Sequence, residues 1–179
     1  MKKSFSVLIA IALNLSLSAQ DRKVANKLFY AEFGGPGVIM SANFDARFNF
    51  KERLGLGYRL GTGFGIKKSG GYYSLDSDEY GVKRITYYSF PAGLNYVFGK
   101  HNSAHTFEVG AGVTLLTRKV SLFNYSNNVK PGNAIGFFTF MYRLMPVDGG
   151  FSFRIGLTPI IGTSGDLFPM GAIGFGYVF

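Results

Sequence analysis

The sequence predicts an all-β fold, an eight-stranded antiparallel transmembrane β-barrel preceded by a cleavable signal peptide. Three observations carry this. Apolar residues recur on every second position through most of the chain, which is the period of a strand with one greasy face. The opposite positions hold glycine, serine and the charged residues, so one side of each strand is apolar and the other polar. Finally, 25 glycines, 19 phenylalanines and 11 tyrosines in 179 residues are too aromatic for a disordered chain and too glycine-rich for a helical one.

The amino terminus stands apart. Lys2 and Lys3 precede the apolar run Phe5 to Leu13, and Ser16, Ser18 and Ala19 supply small residues for cleavage near Ala19-Gln20. A spanning helix needs about 18 apolar residues or more, so residues 1–19 read as a secretory leader and 20–179 as one barrel domain. The chain has no cysteine, which removes lipoprotein acylation and disulfides together.

Strand one is expected from Lys27 to Gly34, with Phe29, Ala31 and Phe33 on one face and Tyr30 and Glu32 on the other. Gly34-Gly35-Pro36-Gly37 breaks it, either as a tight turn or as a kink that would leave seven strands; bacterial single-chain barrels favour even numbers. Strand two, Val38 to Phe50, alternates most cleanly, with Val38, Met40, Ala42, Phe44, Ala46, Phe48 and Phe50 against the nearly all polar Ile39, Ser41, Asn43, Asp45, Arg47 and Asn49. After Lys51-Glu52, strand three sets Leu54, Leu56, Tyr58, Leu60, Phe64 and Ile66 against Arg59 and five glycines, Gly55, Gly57, Gly61, Gly63 and Gly65. These glycines lack dinucleotide-loop spacing and open no helix, so they are expected to make room inside a narrow barrel.

Lys67 to Arg84 is expected as a long polar loop, and strand four follows from Ile85 to Phe98. Gly99 to Ala104 is a short turn before strand five, Thr106 to Thr117, where Phe107, Val109, Ala111, Val113 and Leu115 oppose Glu108 and its glycine neighbours. A second loop, Arg118 to Gly132, leads to strand six, Asn133 to Leu144, with Arg143 on the polar side and Phe137 out of pattern. Met145 to Gly150 turns into strand seven, Phe151 to Pro159, which directs Arg154 inward; a loop through Gly165-Asp166 precedes the last strand, Met170 to Phe179. With the amino terminus at one end, every even connection is short and two of the odd ones are long and polar. Outer-membrane barrels show this asymmetry. A soluble lipocalin-like barrel would reverse the sidedness, with its large apolar groups inside.

Within the last strand, Gly174-x-x-Tyr177-x-Phe179 resembles the carboxy-terminal insertion signal of Gram-negative outer-membrane barrels. The mature chain resembles in architecture the small OmpA/OmpX-like proteins and uncharacterised porin-family barrels of similar size. That resemblance implies a place in the cell outer membrane, insertion by a barrel-assembly machinery that reads Gly174, Tyr177 and Phe179, and almost no chemistry.

The formal charge of +9 falls to +7 once Lys2 and Lys3 leave with the leader. An exported chain has little access to nucleic acid, so the expected counter-charges are outer-membrane lipid and lipopolysaccharide phosphates, near Lys67, Lys68, Lys83, Arg84, Arg118, Lys119 and Lys130 at the bases of the long loops. The alternative is a set of solubilising loop residues. Catalysis needs a base beside a nucleophile. His101-Asn102-Ser103 resembles the His-x-Ser of a lipid A deacylase, but it falls in a short turn at the wrong end of the strands. Two histidines without cysteine make a poor metal site, and Asp76, Asp78 and Glu79 are at most a weak calcium patch. No cofactor, metal or catalytic residue is therefore expected, and the chain is not read as an enzyme.

The inward charges remain. Glu32, Asp45, Arg47, Arg59, Glu108, Arg143 and Arg154 are expected to form a lumen network, since an eight-stranded barrel is just wide enough for side chains to fill. Register places Asp45 opposite Arg59 as an ion pair, Glu108 near Arg143 and Arg154, and Glu32 higher, by the outer mouth. A structural or surface-interaction barrel with a plugged lumen is the first functional reading, a narrow channel for ions or small solutes the second, and a lipid-modifying enzyme the third.

Overall fold

The computed structural model describes residues 24–74, 79–120, 132–162 and 165–179. The leader expected over residues 1–19 lies outside them, as do Asp76, Asp78, Lys130 and the side chains of Lys67, Lys68, Glu79 and Lys83.

The strands are β1 (Lys27–Gly34), β2 (Met40–Arg47), β3 (Gly55–Ser74), β4 (Glu79–Gly99), β5 (His105–Val120), β6 (Gly132–Leu144), β7 (Gly150–Leu157), β8 (Ile160–Ile161), β9 (Leu167–Phe168) and β10 (Gly171–Val178). Each neighbour pair is antiparallel, and β1 pairs with β10 while β5 pairs with β6, so the sheet closes on itself. The ring has eight walls: β8 continues the line of β7 along β6, and β9 leads into β10. Proline explains both breaks. Pro159 and Pro169 have no N–H to give a ladder, yet Phe138 N still donates to Pro159 O at 2.9 Å and Thr158 N to Met170 O at 2.6 Å.

Closure is completed by the two ends of the chain. Leu28 stands opposite Val178 and Gly34 opposite Ala172. Beyond that ladder Lys27 and Phe179 exchange both backbone hydrogen bonds, at 3.1 and 2.9 Å. No edge is left on these strands for another chain to pair with.

The side-chain period turns the pairing into two surfaces. Phe29, Phe44 and Leu60 are successive cross-strand partners, as are Phe29, Tyr177 and Phe151 on the other side. This face points outward: Phe29 is 56% exposed and Leu157 60%. Arg47, Arg59, Arg143, Arg154, Glu32 and Glu108 are each 0–1% exposed, so the sidedness is the reverse of a soluble barrel. Aromatic rings collect toward the short-turn end, where Phe48 meets Tyr58 at 5.6 Å, Phe98 meets Phe107 at 6.0 Å and Phe107 meets Tyr142 at 5.8 Å.

Three expectations need correction. The run Lys67 to Arg84 is not an open loop: Lys67 pairs with Ile85, Lys68 with Arg84 and, after a bulge, Gly71 with Val82 through to Ser74 with Glu79. A polar sequence does not prevent backbone pairing, and the ladder continues through it. Strand two is shorter than Val38 to Phe50, because Val38 sits in a turn at φ 79 and residues 48–50 already bend toward the next strand. Strand seven likewise stops at Leu157 instead of Pro159. The break after Gly34 is a turn and not a kink, since Phe33 pairs back to Met40.

That turn also closes one end of the lumen. Gly35, Pro36 and Gly37 form a single 3-10 turn and are buried. Ser89 Oγ of β4 donates to Gly37 O and Thr114 Oγ1 of β5 to Pro36 O, both at 2.9 Å. Tyr87, Leu116, Ile135, Phe137 and Ile160 form an apolar cluster at this long-hairpin end, with Val38 and Met170 against it. At the short-turn end Ala25, Leu28, Tyr30, Met145 and Val178 form another.

Candidate functional site

Between the two apolar clusters lies a layer of buried charge. Alternation along each strand puts Glu32 (β1), Asp45 and Arg47 (β2), Arg59 (β3), Glu108 (β5), Arg143 (β6) and Arg154 (β7) inside. They form one alternating chain of six ion pairs. Arg47 Nη2 meets Asp45 Oδ1 at 2.5 Å, and Arg143 Nη2 reaches the same oxygen at 3.2 Å. Arg143 Nη1 then meets Glu108 Oε2 at 2.7 Å, and Arg154 Nη2 meets Glu108 Oε1 at 3.0 Å. Arg154 Nε lies 3.4 Å from Glu32 Oε1, and Arg59 Nη2 is 2.6 Å from Glu32 Oε2.

Each carboxylate therefore sits between two arginines, and an arginine stands at both ends of the chain. The ends differ. Arg47 also donates to Gly55 O and to Asn95 Oδ1, both at 2.7 Å, while Asn95 Nδ2 donates to Asp45 Oδ2. Arg59 has one long neutral contact, Asn43 Oδ1 at 3.3 Å. Its guanidinium otherwise rests between rings, 5.6 Å from the Tyr30 centroid and 5.7 Å from that of Phe137, and Arg154 lies 4.4 Å from Tyr30. Such stacking satisfies the face of a guanidinium and leaves its N–H edge unpaired.

The network is wired differently from what strand register implies. Asp45 and Arg59 are backbone partners across β2 and β3, yet Arg59 turns to Glu32 and Asp45 to Arg47 and Arg143. Glu32 is not placed above the network by a mouth; it links Arg59 to Arg154 inside it. Glu108 holds both Arg143 and Arg154 and accepts from Thr139 Oγ1 at 3.2 Å. Asn43, Asn95 and Thr139 were not singled out from sequence, although all three fall on polar faces. Tyr30 and the out-of-pattern Phe137 had the signal of inward position without an obvious reason for it.

An arginine not singled out from the sequence, Arg53, braces the short-turn end. Arg53 is buried beneath the turns and donates to His101 O at 3.0 Å, Ser103 O at 2.8 Å and Met145 O, joining three connections far apart in sequence. Burial lowers its pKa from the ordinary guanidinium value, and Asp148 opposes the change. In the same turn His101 is exposed, and the Ser103 hydroxyl accepts from His105 N at 3.1 Å. His105 Nδ1 and Tyr142 Oη are 2.6 Å apart on the outer face. Gly174, Tyr177 and Phe179, expected from sequence to form an insertion signal, lie at the β10 seam: Gly174 pairs with Arg154 of β7, and Tyr177 and Phe179 point outward.

No protein-family model and no curated protein matches the sequence. Among solved structures, the chain is similar to the crystal structure of the N-terminal β-barrel domain of Pseudomonas aeruginosa OprF, with a TM-score of 0.51 and 12% identity over 88% of this chain and 98% of that one. At that identity the likeness bears on fold alone, and the shared fold is a closed eight-stranded antiparallel barrel.

Proposed function

We propose that the chain is an integral outer-membrane protein with a plugged lumen, whose role is structural or one of surface interaction and not conduction. The observation that carries this is the seven-residue charge chain, which crosses between six walls with every member buried. The apolar clusters above and below it support the same reading. In this reading residues 1–19 direct export, and Gly174, Tyr177 and Phe179 are read by the assembly machinery. The outward belt, with Phe29, Leu60, Phe90 and Ile155, meets lipid, and the protein carries out no reaction. The long hairpins face the exterior, where exposed Arg84, Arg118 and Lys119 meet lipopolysaccharide phosphates.

Planar-bilayer recording on the purified protein tests it. No steady current is expected, because opening a path means breaking paired charges in a lumen without room for bulk water. A steady conductance of porin size would make the narrow channel the correct function.

A further inference from the structure

The charge chain does not balance. Four arginines face three carboxylates within the layer, so it holds one net positive charge in a lumen ringed by apolar surface. Arg53, also buried, lies among the turns on backbone carbonyls and does not reach the carboxylates. Among the described residues most of the layer's unpartnered donors gather at one end, Arg143 Nε being the one elsewhere. Arg47 is terminal but hydrogen-bonded to Gly55 O and Asn95 Oδ1, whereas buried Arg59 has no acceptor at Nε or Nη1 among the described residues. Next to it on Glu32, Arg154 has none at Nη1, and the Tyr30 hydroxyl, on the ring that both guanidinium groups flank, is also unpartnered. The one orphan acceptor in this group, Glu32 Oε1, already lies 3.4 Å from Arg154 Nε.

We propose that this corner of the lumen, bounded by Arg59, Arg154 and Tyr30, binds a single small monovalent anion, with a halide as its ligand. The unpartnered N–H and O–H groups of Arg59, Arg154 and Tyr30 outnumber the one unpartnered acceptor beside them, and a halide accepts several such bonds at once and cancels the unbalanced charge. A water molecule would serve some of the donors and leave the charge in place, which is the costlier part of the burial.

Stability read against anion identity tests this without any transport assay. The mature chain is folded into phosphatidylcholine vesicles and unfolded in urea while chloride replaces gluconate at constant ionic strength, so that screening stays equal. A ligand bound only by the folded state makes the folded-to-unfolded ratio rise about tenfold for each tenfold rise in chloride above the dissociation constant. Asn43→Asp is the matched variant, since it puts a fourth carboxylate at the position that already contacts Arg59. Its stability is expected to lose chloride dependence and to be higher in gluconate than that of the wild type. Tyr30→Phe, which removes one donor, is expected to shift the chloride curve to higher concentration, and it serves if N43D does not fold. A wild-type ratio indifferent to chloride overturns the site. So does full chloride dependence retained in N43D, or a Tyr30→Phe curve superimposed on the wild type. None of these outcomes bears on the plugged lumen, which conductance tests separately.

Discussion

Removing Glu32 separates the observed wiring from the one that register implies. Glu32 is the shared partner of Arg59 at 2.6 Å and Arg154 at 3.4 Å, and it is fully buried. Glu32→Gln keeps the shape and leaves four arginines facing two carboxylates, whereas Arg59→Met leaves three facing three. Breaking one side of a buried pair costs roughly 3–5 kcal/mol. The glutamate change belongs at the top of that range, and the arginine change below it, because the latter also removes the surplus charge. Against a typical stability of about 5–15 kcal/mol, either is a large loss. At about 2 kcal/mol per M of urea, Glu32→Gln moves the unfolding midpoint down by about 2.5 M. The pair should couple by about 1–3 kcal/mol in a double-mutant cycle, as contacting residues do. Asp45→Ala with Arg59→Ala is the comparison: they are cross-strand neighbours in one network that share no direct ion pair, so their coupling should be clearly smaller than that of Glu32 with Arg59. An Asp45–Arg59 coupling as large as that of Glu32–Arg59 would refute the wiring.

Two further outcomes follow from the ends of the barrel. Deleting Phe179 removes both backbone bonds to Lys27 at the closing seam, so the yield of heat-modifiable, protease-resistant protein in the outer membrane should fall; unchanged gel mobility and protease accessibility would contradict this. Arg53→Ala breaks three hydrogen bonds from a charged group, each contributing about 1.5–3 kcal/mol at most, and should speed amide exchange in residues 100–104 and 145–149 while β1–β4 exchange as before; uniform acceleration would mean that Arg53 supports the whole barrel and not its turns.

Much of this was legible because a strand has the simplest of periods. Alternation alone sorts Phe44 from Asp45 and Phe153 from Arg154, and it brings the inward residues into view as a set. It says nothing of which inward residue meets which. The contacts that matter join walls that are not neighbours in the sheet: Arg143 of β6 to Asp45 of β2, Arg154 of β7 to Glu108 of β5, Arg59 of β3 to Glu32 of β1. In a narrow barrel, long side chains reach across the lumen, and pairwise strand register cannot anticipate their partners. Phe137 failed to fit for a related reason. It faces inward because the long-hairpin end is closed by an apolar cluster, so a single strand is polar inside at one level and apolar at the next.

The glycine-rich face of β3 and β10 is the other half of the charge chain. Arginine is the bulkiest of the residues buried here, and a lumen of fixed circumference admits four of them only where the wall opposite gives up its side chains. A methyl added at Gly57 would strike the guanidinium carbon of Arg47, and one at Gly174 would stand 2.8 Å from Arg154 Cγ. The glycines beneath these two arginines thus set where each long stem lies, and through that where each guanidinium ends. The same alternation that makes the outer face uniformly apolar therefore produces an inner face of matched large and small residues, with the ion pairs held by volume as well as by charge.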